Sequence, residues 1–84
     1  MYKIVFKKKA QKELEAVPKQ YFIALSDAID GLAKKPRPAG CKKLIGADNQ
    51  YRIRVGMYRI LYTIEDNILT ITVVKVAHRK EVYN

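Results

Sequence analysis

The spacing of apolar residues changes period near residue 41, and that change divides the chain into two kinds of structure. In "YKIVF", Tyr2, Ile4 and Phe6 alternate with Lys3 and Val5, which predicts a strand with one buried face. Ala10, Leu14 and Val17 then recur at helical spacing, and Pro18 closes that segment and suits the first turn of a second helix. Phe22, Leu25, Ile29 and Leu32 mark the second helix's apolar stripe. Lys34 and Lys35 complement its C-terminal dipole, and "KPRPAG" ends it. Beyond this hairpin the period falls to two. "CKKLIG" reads as a short strand and "YRIRVGMYRILYTIEDNILTITVVKV" as a three-strand meander. The expected fold is α+β, with an N-terminal strand and helical hairpin packed on a mainly antiparallel sheet.

Register follows from the turns. A two-residue turn at Gly56-Met57, with glycine at the first central position, pairs Val55 with Tyr58, Arg54 with Arg59 and Arg52 with Leu61. Opposed residues share a sheet face. Tyr51, Ile53, Val55, Tyr58, Ile60 and Tyr62 therefore form the helix-packed face, with the tyrosine hydroxyls at its edge, and Arg52, Arg54 and Arg59 project from the other. A second turn at Asp66-Asn67 is expected to place Ile64, Leu69, Ile71 and Val73 in the core. Thr63, Thr70, Thr72 and Val74 then fall on the arginine face, as does His78 by parity.

Charge gives that face a meaning. The 84 residues carry 17 lysines and arginines against 8 acids, a net charge of +9 that favours an anionic partner, nucleic acid first. The lysines of the first segment are ordinary surface residues, but four of the five arginines, Arg52, Arg54, Arg59 and Arg79, fall in the second half of the chain. Arginine is the side chain whose planar fork fits phosphate. Two arginines facing each other cost a few tenths of a kcal/mol up to ~1 relative to a neutral pair, a cost that an anion site explains.

Other chemistries lack residues. Cys41 is the only cysteine and His78 the only histidine, so neither an internal disulfide nor a zinc site is expected, and no metal or cofactor is implied. Ser26 is the only serine and lies within the second helix. No apolar run suits a signal peptide or a membrane span, and a single domain over 1–84, working in the cytoplasm, is the expectation. Phosphate chemistry on RNA needs only a base, an acid and positive charge, because RNA supplies its own nucleophile in the 2′-hydroxyl.

From "YRIRVGMYRILYTI" through "VVKVAHRKEVY" the sequence resembles the RelE/ParE superfamily of toxin–antitoxin toxins, and within it the RelE branch. The order of elements agrees along nearly the whole chain. The resemblance implies a metal-independent endoribonuclease that cuts messenger RNA on the ribosome, held inactive by a cognate antitoxin. It implies that Arg59 binds phosphate and that Arg79 stabilises the transition state or protonates the leaving group. Tyr83 would serve as base or stacking residue. Arg52 and Arg54 stand where well-studied members carry lysine, and with Lys75 and Lys80 they are expected to bind RNA.

Arginine does not lose its proton near neutral pH, so neither Arg52 nor Arg54 can be the base that a lysine could be. His78 is then the expected base, with Tyr83 as orienting or stacking group. The rival expectations are a ParE-like inhibitor of DNA gyrase without nuclease activity, and an inactive RNA-binding or interaction module.

Overall fold

The computed structural model describes residues 1–46 and 48–79. Strand β1 (Lys3–Phe6) leads directly into α1 (Lys8–Ala16), and Val17 and Pro18 link α1 to α2 (Lys19–Gly31). The short β2 (Lys42–Lys43) follows, then β3 (Gln50–Val55), β4 (Tyr58–Glu65), a 3₁₀ turn (Asp66–Ile68) and β5 (Thr70–His78). The sheet order is β1-β5-β4-β3-β2, with β1 parallel to β5 and every other pairing antiparallel. Two helices packed on a mixed five-stranded sheet are the α+β fold expected from the pattern.

Local chemistry explains the breaks. Proline disfavours helix in the residue before it, and Val17 is extended (φ −70°, ψ 152°), ending α1. Pro18 caps α2, where its missing N–H costs nothing. Ala10 and Leu14 of α1, and Leu25, Ile29 and Leu32 on and just after α2, bury against Ile53, Ile60, Ile64 and Ile71 of the sheet. Each large aliphatic contributes about 1.5–3 kcal/mol by burial. Phe22, expected on the buried stripe, is 39% exposed beside Tyr21 and Ile23: the first turns of α2 lie outside the core, which starts at Leu25.

The β3–β4 hairpin has the predicted register, Val55 to Tyr58, Arg54 to Arg59 and Arg52 to Leu61. Gly56 sits at φ +58°, the sign that the first central position of the turn demands. The next turn differs from expectation. It spans four residues, with Glu65 paired to Thr70, and Leu69 adopts a left-handed conformation (φ 49°) with half its surface exposed, so it leaves the core.

A bulge in β5 makes the larger correction. Tyr62 pairs with Val73 but its neighbour Leu61 pairs with Lys75, so Val74 is an extra residue and the alternation of β5 reverses beyond it. Unbroken alternation would have buried Lys75 and exposed Val76. The reversal keeps Val76 in the core at 3% exposure and turns His78 to face Tyr58, on the helix side of the sheet and away from Arg59. The predicted parity of His78 is thereby overturned.

Strand β1 covers only the first half of β5, from Thr70 to Val73. Alongside the second half runs α1, whose Glu13 takes the place of a strand partner: Oε1 accepts the Val76 N–H (3.0 Å) and Oε2 accepts from Lys75 Nζ (3.4 Å). At the opposite end of the sheet, the Arg37 guanidinium pairs with Asp66 (2.9 Å) and lies over the Tyr51 ring, while the Tyr2 hydroxyl donates to the same carboxylate.

Candidate nucleic-acid interface

The site is built on the β3–β4 hairpin, whose tight turn fixes which residues face each other. Arg54 and Arg59 are directly opposed, and Arg52 lies two residues along β3 on the same face. Strand β4 is the middle strand of the sheet, so Arg59 also has a neighbour on β5, which is Ala77. Alanine leaves room for the long guanidinium stem, and Arg59 is 2% exposed, the most buried charge among the described residues. Arg54 is exposed and Arg52 half-buried. Arg52 and Arg54 can hold phosphate oxygens in a bidentate manner, and the buried Arg59 adds positive charge to the same face.

Arg79 joins this end of the sheet through its backbone. Its N–H donates to the Met57 carbonyl (2.7 Å), tying the residue after β5 to the hairpin turn, and its side chain is exposed. Lys75 shares the arginine face by register, opposite Leu61, but its ammonium is engaged by Glu13. Tyr83 and Lys80 lie outside the described residues.

His78 belongs to a different set. Its ring meets Tyr58 edge-on with centroids 5.6 Å apart, and Tyr58 in turn meets Tyr21 of α2 at 5.5 Å. The structure thus brings Arg52, Arg54 and Arg59 together, with Arg79 at the adjoining turn, and separates His78 from them. The tyrosines of the core face are packing residues as expected: Tyr51 and Tyr62 stack at 6.0 Å. The Tyr62 hydroxyl is not at an edge, however; it is fully buried and donates to the Pro36 carbonyl (2.7 Å), and burial pushes its ionisation well above the ordinary phenol value.

Glu13 escaped the reading of residues in the site, although a signal for it exists. It lies three residues after Ala10 and four before Val17, on the border of an apolar stripe where a carboxylate needs donors. A groove of about 570 Å³ opens beside the outer edge of β3, between α2 and the 38–40 loop, with Lys35, Lys42, Arg52 and Arg54 among its lining residues. No cluster of three or more histidine, cysteine or carboxylate side chains able to hold a metal occurs among the described residues. No helix among them is long and apolar enough to cross a membrane.

Residues 4–83 match the model of the ParE toxin of the type II toxin–antitoxin system parDE. The chain belongs to this toxin family. It is similar to toxin RelE3 of Methanocaldococcus jannaschii, at 36% identity over 98% of this chain and 96% of that one. The toxin fold is also that of the RelE–RelB complex from Pyrococcus horikoshii (TM-score 0.82, 28% identity, 93% of this chain and 94% of that chain). The isolated E. coli RelE toxin superposes at a TM-score of 0.83, with 26% identity, covering 99% of this chain and 92% of that one. These similarities agree with the RelE branch that the sequence resembles.

Proposed function

We propose that this toxin is a metal-independent endoribonuclease that cuts messenger RNA on the ribosome. The observation that carries the reading is the opposition of Arg54 and Arg59, with Arg52 on the same face and Arg79 at the adjoining turn. Crowded guanidiniums are costly without an anion and favourable with a phosphodiester. In the reaction, the 2′-oxygen of one nucleotide attacks the adjacent phosphorus as its proton passes to a base. The bond from phosphorus to the 5′-oxygen breaks, that oxygen receives a proton, and a 2′,3′-cyclic phosphate remains. The arginines stabilise the extra charge on the phosphorane oxygens.

The reversed register favours Tyr83 over His78 as the proton acceptor, because His78 faces Tyr58 instead of the arginines. A phenol can serve as base only where cations lower its ionisation toward working pH. The two assignments separate in a pH–rate profile. A limb that disappears in His78→Ala assigns the base to His78, whereas a limb that disappears in Tyr83→Phe assigns it to the phenol.

The partner we infer is an antitoxin with an acidic segment, since solved relatives are complexes of RelE with RelB and this chain's net charge is +9. The chain is further proposed to act as one domain in the cytoplasm. Expression in cells followed by mapping of message ends tests the nuclease reading. Cuts phased with codons support it, and their loss in Arg52→Ala/Arg54→Ala with unchanged melting temperature ties them to this face. DNA damage without message cuts would instead establish a gyrase inhibitor, the reading that the parDE description of the matching model favours. Neither effect would leave an inactive binding module.

A further inference from the structure

On the helix side of the sheet, around the strand end from Arg59, lies a cleft of about 240 Å³. Its walls include Glu13, Ala16 and Val17 of α1 and the linker, Val76 and His78 of β5, and Tyr58 of β4. Resting on the ribonuclease reading above, we propose that this cleft takes one nucleobase of the RNA whose backbone lies on the arginine face. It selects bases that carry an exocyclic amino group.

Size is the first argument. Pockets for drug-sized molecules begin near 300 Å³, so this cleft fits a single ring system. Its walls are the second: a tyrosine and a histidine ring meeting at 72° on one side and aliphatic groups on the other suit a flat heteroaromatic. Glu13 supplies the polar contact. Its carboxylate is fixed by the Val76 N–H and the Lys75 ammonium, one to each oxygen, and each oxygen retains a lone pair. A carboxylate accepts from the amino groups of adenine, cytosine and guanine and repels the carbonyl oxygens of uracil.

Continuity is the last argument. His78 is adjacent to Arg79, whose N–H is bound to the hairpin turn, and Ala77 faces Arg59 while also lining the cleft. A strand of RNA rounding the end of β5 can therefore set phosphates on one side and a splayed base on the other.

The test uses the whole chain with ribosomes programmed by messages that differ only in single bases flanking the cut. The wild type is expected to prefer A, C or G over U at one position by about tenfold, the scale of a hydrogen bond to a charged group. Glu13→Gln keeps an acceptor for the Val76 N–H but adds a donor for uracil, and should bring that ratio close to one. Ala16→Phe fills the cleft and should do the same. Unchanged base ratios in both variants, at wild-type melting temperature, would overturn the proposal while leaving the nuclease reading intact. So would cutting by the wild type with no base preference. A wild-type chain that cuts no RNA removes the nuclease reading and this inference with it.

Discussion

Arg54 stands directly across from Arg59 in the β3–β4 ladder, one exposed and the other buried at 2% exposure. Removing the exposed charge separates the interests of stability and function. Arg54→Gln is expected to raise stability by about 0.3–1 kcal/mol at low salt, since like charges opposed across strands repel. The gain should shrink at high salt, where screening already weakens the repulsion. Urea unfolding at two ionic strengths measures it. RNA affinity should fall at the same time, with the salt slope reduced by about one phosphate contact.

Acid should loosen the far end of the sheet. The Arg37 guanidinium, and after it the Tyr2 hydroxyl, hold the Asp66 carboxyl below its ordinary range. A depressed value means that this interaction contributes fully above the unfolded carboxyl's value of about 3.9 and is lost as pH falls through the lower folded value. Unfolding midpoints followed downward from about pH 5 should therefore drop more steeply for the wild type than for Asp66→Asn.

Alkali acts on Tyr62. Its buried hydroxyl ionises well above the ordinary phenol value, so the folded chain holds a proton that the unfolded chain releases. Stability should fall as pH rises past about 10, and less steeply in Tyr62→Phe. At neutral pH that variant loses the bond to the Pro36 carbonyl and should be less stable by about 1 kcal/mol.

Leu69 carries backbone strain that glycine would release. Its left-handed conformation is held in place because its carbonyl accepts the Lys3 N–H (2.8 Å), the first bond joining β1 to β5. A left-handed non-glycine residue costs about 1–2 kcal/mol, and glycine returns part of this through its greater freedom when unfolded. Leu69→Gly is expected to raise the unfolding free energy by up to about 1 kcal/mol, measured by chemical denaturation.

The sequence made the arginine face legible and concealed the position of His78, for one physical reason. Gly56 at the head of a two-residue turn leaves β3 and β4 a single register, so three arginines could be placed from local chemistry alone. No turn residue marks the bulge at Val74. Its only trace is the doubled valine of "ITVVKV", which sets Lys75 where unbroken alternation demands an apolar side chain. Strict alternation overlooks that conflict, and the folded chain resolves it by spending one residue. Phe22 was misplaced for a related reason: helical spacing identifies a stripe but not how far along the helix the sheet extends beneath it.

The pairing of β1 with β5 also bears on how such a toxin comes into being. Residues 3–6 find their strand partners only at residues 70–73, and the helices between them pack on strands that are also made after them. Contacts so distant along the chain slow folding and make it wait for the final strand. The arginine pair of the hairpin thus gains its rigid support, including Ala77 beside Arg59, only after nearly the entire chain has been synthesised. A nascent chain stalled before β5 lacks the strand that joins β1 to β4, so an unfinished copy has no support beside Arg59 for the surface on which its toxicity would depend.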